Sequence, residues 1–234
     1  RPEFTTKSGA PTIHKRRIVD EYSGNKLLEV YVMDDSPTGV GDQVHLIDAL
    51  VVAQTRCDLI IVADYGHGML TQRTIDYLCG QEHFLAVNVQ TNAGNRGFNP
   101  ISKYRKADYV CLAGHEIEIE TRTRNANMQE GTREVLKRIE CSRVLVTVGP
   151  EGILHYDAIA GFTNSMALAS HVLDKVGAGD AVLAVTSLLE KIGAPTDIIG
   201  FIGNVAGAHV VASLGNAVPL DRVTLSRHIT SLLK

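Results

Sequence analysis

The stretch that decides the fold is Asp174-Lys175-Val176-Gly177-Ala178-Gly179-Asp180-Ala181, which runs into the apolar segment 182–189. Two glycines bracket an alanine, and a carboxylate then opens a helix-like run of small and branched residues. Glycine admits positive φ, so successive N–H groups can turn toward one point. A helix starting there adds unpaired N–H groups and the positive end of its dipole. Together these make an anion site, most naturally for phosphate. Asp180 is the odd member, because a carboxylate in a phosphate cradle repels its ligand unless it does chemistry there. A base that takes a proton from a hydroxyl as a phosphoryl group arrives would justify it. A dinucleotide fingerprint wants glycine where Val182 stands, and no Gly-Lys-Ser/Thr follows as a Walker loop requires. An ordinary tight turn with Asp180 as helix cap stays open from these residues alone.

With 234 residues the chain can form one α/β domain with a sizeable core. Its 44% hydrophobic and 21% charged residues fit a soluble globular protein. A net charge of -3 gives no general attraction to nucleic acid or an anionic membrane, so neither is expected as a partner. Cys57, Cys79, Cys111 and Cys141 form no C-x-x-C and read as reduced, mostly core thiols of a cytoplasmic protein. No signal-peptide pattern opens the chain. The most apolar run, 198–214, holds Asn204, His209 and several glycines, and reads as a buried helix rather than a membrane span.

Working outward, residues 1–10 read as irregular. Residues 12–19 and 27–33 carry strand formers around a turn-like 23–26, which suggests a hairpin with Lys15-Arg16-Arg17 on its first arm. The commoner explanation of that cluster is a solvated face. Beyond 34–37 helix and strand alternate. Helices are expected at 45–57, 71–78 and 129–140. Strands are expected at 58–63, 84–89, 109–112 and 143–148, the first of them buried on both sides. This repetition argues for a mostly parallel sheet with helices on both faces, whose ligands collect beyond the carboxyl ends of the strands. Candidate residues fall there repeatedly: 64–68, 90–92, 114–116 and 149–152 each follow a strand.

Asp-x-Val-Gly-Ala-Gly-Asp-Ala near the C-terminal end resembles the signature of the ribokinase/PfkB carbohydrate kinases. Residues 11–17, 63–68 and 87–92 resemble, more narrowly, the kinase part of ADP-heptose synthase-type proteins. The resemblance implies a ribokinase-like three-layer α/β sandwich, N-terminally truncated. Residues 1–35 would then be a remnant of the β lid and 36–234 the kinase domain. It implies ATP and Mg²⁺, a sugar or sugar-phosphate acceptor, and a missing segment, partner chain or second copy covering the sheet.

Site residues follow from the same resemblance. Gly177, Ala178 and Gly179 would form the anion hole and Asp180 the catalytic base. Thr147, Gly149 and Gly152 match a nucleotide loop, although a plain hairpin turn also explains them. Asn204 matches an asparagine beside the adenine pocket, and reads equally well as a satisfied core amide. Lys175 would reach the phosphates or stand exposed. Asp174 would brace the loop, meet magnesium through water, or simply cap. Glu116 would organise magnesium, with Ala113 where the family carries asparagine. Glu118 and Glu120 alternate with it and read as an exposed acidic edge. Lys15, Arg16, Asp64, His67 and Asn88 are candidates for the acceptor side, His67 standing where the heptose kinases carry lysine. The alternative function is a degenerate kinase-fold module that binds nucleotide or serves assembly, favoured by Ala113 and His67. A NAD-binding protein is a distant third.

Overall fold

Apolar runs alternating with helical periods fold here into a six-stranded sheet between two helical layers. The structure, a computed structural model, describes residues 2–22, 24–92, 94–95, 97–215 and 217–234. Strands β1 (His14–Val19) and β2 (Lys26–Val32) form an antiparallel hairpin that is a sheet of its own. The turn expected at 23–26 includes Ser23, which lies outside the described residues. Helix α1 (Val40–Gln54) starts ahead of the expected 45, with Gly39 in extended conformation as its N-cap.

The main sheet runs in the order β3 (Leu59–Asp64), β4 (Phe84–Val89), β5 (Tyr109–Ala113), β6 (Arg143–Thr147), β7 (Ile153–Asp157) and β8 (Gly161–Ser165). The pairings from β3 to β6 are parallel, and the last two are antiparallel. Alternate strand residues face opposite layers, as the two-residue period of a strand requires. On one side Val62, Val87, Leu112 and Val146 share a core with Ile75 and Leu78 of α2 (Gln72–Cys79), Ile117 of α3 (Gly114–Thr121) and Val135 of α4 (Met128–Leu136). On the other, Ala86, Tyr109, Cys111 and Leu145 meet Val182 and Leu183 of α5 (Ala178–Lys191) and Ile199 of α6 (Thr196–Val211). Each full burial of such a side chain contributes roughly 1.5–3 kcal/mol. Helix α7 (Arg222–Leu232) packs outside α6.

Three expectations need correction. Strand β3 is not buried on both sides: among the described residues it pairs with β4 alone, and Ile61 is 39% exposed. A continuous apolar run reports hydrophobicity, not how many neighbours a strand finds. Glu120 is not on an exposed acidic edge. It is buried and paired with Arg138 at 3.0 Å, because residues 114–121 form a helix, where positions four apart share a face. Helix α4 ends at Leu136 rather than 140, and Glu140 instead forms a parallel bridge to Lys106. The cysteines are free, with Cys79 and Cys111 buried. Among the described residues no helix is long and apolar enough to cross a membrane.

Candidate active site

The loop into α5 is fixed before the helix begins. Asp174 is buried, and its two carboxylate oxygens accept the N–H groups of Val176 and Gly215, each at 3.1 Å. Burial pushes its pKa upward, but those amides outweigh burial and hold it below the ordinary value. Lys26, at the foot of the hairpin, lies 3.4 Å from the same carboxylate. Gly177 then takes φ 81°, a left-handed turn that a side chain would oppose, and α5 starts at the next residue. The Ala178 N–H reaches the Lys175 carbonyl at 3.4 Å, and the Ala181 N–H reaches that of Gly177 at 3.0 Å. Among the described residues the N–H groups of Gly179 and Asp180 donate to no acceptor. A methyl group built on Gly179 would meet nothing within 4 Å, so this end of the helix looks into open space.

That space is a cleft of about 1470 Å³ along the carboxyl ends of the strands. Ala178, Gly179 and Asp180 line it from α5, and Lys175 from the loop before. Thr147, Gly149 and Gly152 line it from the β6–β7 connection. That connection is a hairpin turn between the antiparallel β6 and β7, and it forms part of the cleft wall. Gly152 has φ 92°, and a Cβ there would fall 2.1 Å from the Ser165 carbonyl oxygen, so only glycine fits. Asn204 lines the cleft from α6 while its amide nitrogen donates to the carbonyls of Ser165 at 3.0 Å and Gly200 at 3.1 Å. It is a satisfied amide tying α6 to β8.

Asn88 and Glu116 line the same cleft from the ends of β4 and β5. Asn88 donates to the Cys111 carbonyl at 2.7 Å. Glu116 accepts the Thr91 N–H on one oxygen at 2.9 Å and the Ala113 N–H on the other at 2.8 Å, so it ties together the loops after β4 and β5. Burial raises its pKa, against the pull of those two amides. Among the described residues no three His, Cys, Asp or Glu side chains cluster as a metal site.

Lys15, Arg16, Asp64 and His67 stand off the cleft wall. Lys15 Nζ lies 2.8 Å from His67 Nε2, and over the rings of Tyr31 and Tyr65. Burial, then the charge of Arg17, lowers the Lys15 pKa; burial, then the charge of Lys15, lowers that of His67. Arg16 is exposed on the opposite face of the hairpin, since neighbours on a strand alternate. Asp64 is 4% exposed and its oxygens are taken by the protein: the Gly66 N–H at 2.9 Å, the Tyr104 hydroxyl at 2.7 Å and the Lys103 ammonium at 2.5 Å.

Sequence reasoning missed Tyr65. Its hydroxyl donates to Asp180 Oδ1 at 3.0 Å, joining residues 115 apart in sequence. It falls within 64–68, one of the stretches that follow a strand, but no spacing rule links it to Asp180.

A helix N-terminus with free amides, a carboxylate in its first turn and a large cleft over parallel strand ends mark an α/β protein of the class whose ligands sit beyond the strand ends. The profile of the pfkB family carbohydrate kinases matches residues 73–222, and the chain belongs to that family. It is 26% identical over 211 residues to the bifunctional protein HldE of Bradyrhizobium diazoefficiens, covering 89% of this chain and 42% of that protein. The chain thus spans less than half the length of such curated relatives. Among solved structures, phosphofructokinase-2 from Escherichia coli in complex with potassium superposes with a TM-score of 0.76 at 14% identity, over 94% of this chain and 71% of that one. Ribokinase from Arabidopsis thaliana, complexed with ribose and ATP, gives 0.69 at 13% identity, over 94% and 70%. The fold is therefore ribokinase-like.

Proposed function

We propose that the chain carries the phosphotransfer part of an ATP-dependent carbohydrate kinase acting on a sugar or sugar phosphate, with a heptose phosphate the favoured acceptor. The observation that carries this reading is Asp180 on the cleft wall beside the free N–H groups of Gly179 and its own backbone. Asp180 takes the proton of the acceptor hydroxyl. That oxygen attacks the γ-phosphorus, the bond from phosphorus to the bridging oxygen breaks, and ADP leaves. The free amides of Gly179 and Asp180 hold the charge that builds on the transferred oxygens, while the Ala178 N–H is already engaged by the Lys175 carbonyl; one lost donor costs about 10²–10³ in rate.

The nucleotide lies along Thr147, Gly149 and Gly152 toward Asn204, with Lys175 reaching its phosphates. A divalent ion prefers oxygen ligands and would neutralise phosphate charge. Glu116 fits it only as a peripheral carboxylate, since each of its oxygens already accepts an amide. Asn88 faces the acceptor. Lys15 and His67, two nitrogen bases in contact, suit an anionic group on it, and this supports a phosphorylated sugar. The same reading expects the open edge of β3 and the exposed Val44, Val51 and Val52 of α1 to be covered by a further segment or a second copy.

The test is phosphotransfer from Mg²⁺-ATP to a panel of hexose and heptose phosphates, for the parent chain and Asp180→Asn. Turnover in the parent and its loss in the variant, with ATP affinity kept, support the reading. Full turnover in Asp180→Asn removes the base. The second reading, a nucleotide-binding module without turnover, draws on Ala113 and His67. ATP binding with no transfer to any acceptor in the panel would favour it.

A further inference from the structure

The loops on the acceptor side converge on one side chain that no motif marks. Asn92, Asn95 and Asn99 lie against the end of β3 and grip the backbone of Asp64 and Tyr65. Asn92 Nδ2 donates to the Tyr65 carbonyl at 2.9 Å, and Asn95 Nδ2 donates to the same oxygen at 2.7 Å. Asn99 Nδ2 donates to the carbonyl of the preceding residue at 2.8 Å. Gly66 follows with φ 68°, packed so closely that a Cβ would lie 2.3 Å from Asn95. The Tyr65 backbone is thus held on both sides, while its ring, 37% exposed, reaches across to α5.

From this geometry we infer that Tyr65 is a positioning residue for the transfer step. Its hydroxyl occupies Oδ1 of Asp180, fixes the carboxylate plane and leaves Oδ2 to receive the proton of the acceptor alcohol. Burial, followed by the charge of Asp180, pushes the phenol up to about 12, so it stays a donor at neutral pH. The Lys15 ammonium lies 5.7 Å from the Tyr65 ring centre, so the hairpin leans on the side chain that orients the carboxylate. The inference rests on Asp180 being the base, and its test separates the two.

The decisive variant is Tyr65→Phe, which removes one oxygen and keeps the ring. With Mg²⁺-ATP and the best hexose or heptose phosphate of the panel, kcat is expected to fall about 10- to 100-fold, the weight of one hydrogen bond to a charged group. The KM for ATP and the urea midpoint of unfolding should hold. An unchanged or higher kcat would overturn the inference, and a higher one would mean that the phenol competes with the acceptor for Oδ1. Loss of turnover in Asp180→Asn beside an unaffected Tyr65→Phe sinks the positioning role alone. Full turnover in Asp180→Asn sinks the base. If the parent shows no turnover, ¹³C NMR of the Asp180 carboxyl decides: a resonance that moves in Tyr65→Phe supports the bond, and an unmoved one overturns it.

Discussion

Asp64 and Asp180 make an instructive pair. Both are aspartates at the carboxyl-end rim of the sheet, one closing β3 and one in the first turn of α5. Asp64 is buried and receives an amide, a phenol and an ammonium. Asp180 lines the cleft and receives one phenol. A carboxylate saturated by fixed donors has nothing left for a ligand and serves the fold. One with a free oxygen on a cavity has capacity left for chemistry. The difference lies in their neighbours, since residue type and the carboxyl-end side of the sheet are shared.

Replacing each aspartate by asparagine should give opposite results. Asp180→Asn is expected to lower kcat about 10²–10⁴-fold, the usual share of a general base, while leaving the unfolding midpoint in place. Asp64→Asn removes the charge opposite the half-buried Lys103 ammonium, which keeps the Asn99 side-chain oxygen as an acceptor, so the expected loss is about 1–3 kcal/mol. Urea unfolding monitored by circular dichroism should record that loss. Equal stability of the two variants would dissolve the contrast.

The parts of this comparison were unequally legible in the sequence. Strands β4, β5 and β6 were readable because both faces of each are buried, so nearly every residue is apolar. The edge position of β3 was not, since its apolar run matches theirs and only pairing partners differ. Residues 114–121 misled because Glu-Ile-Glu-Ile-Glu alternates like a strand while the chain there is helical, which turned Glu120 inward to Arg138. The glycines of Gly177-Ala178-Gly179-Asp180 marked a turn into a helix through local chemistry, but that chemistry alone left an anion site and a plain helix cap both open. Whether Asp64 would be used up internally depended on Lys103 and Tyr104, and its tie to Tyr104 spans 40 residues that no local rule connects.

Glycines on either side sharpen the contrast further. Gly66, beside Asp64, has φ 68° and no room for a Cβ, so Gly66→Ala should cost roughly 1–3 kcal/mol of stability. Gly179, beside Asp180, lies in a helix and faces open space. Gly179→Ala should therefore keep or gain up to about 1 kcal/mol. The added methyl would occupy the space beside the free amides, and turnover should fall on the order of 10²-fold. Paired measurements of unfolding and turnover test this, and a Gly179→Ala enzyme of normal rate would remove the anion hole from that spot.

The smallest effect concerns the hairpin, whose Lys15 touches both the His67 and Tyr65 side chains. Burial and the Lys15 charge depress the His67 pKa below its ordinary 6.5. The unfolded imidazole therefore takes up a proton before the folded one does, and stability falls as pH drops below 6.5 and through the folded value. Above that window the neutral ring can accept a hydrogen bond from Lys15; once protonated it repels it. The protection factors of the β1 amides, with the intrinsic exchange rate divided out, should accordingly be lower at pH 5 than at pH 7.5 by a factor of a few. His67→Gln keeps a neutral acceptor near that place and should flatten this pH difference. A pH difference that survives in His67→Gln would show that another group loosens the hairpin.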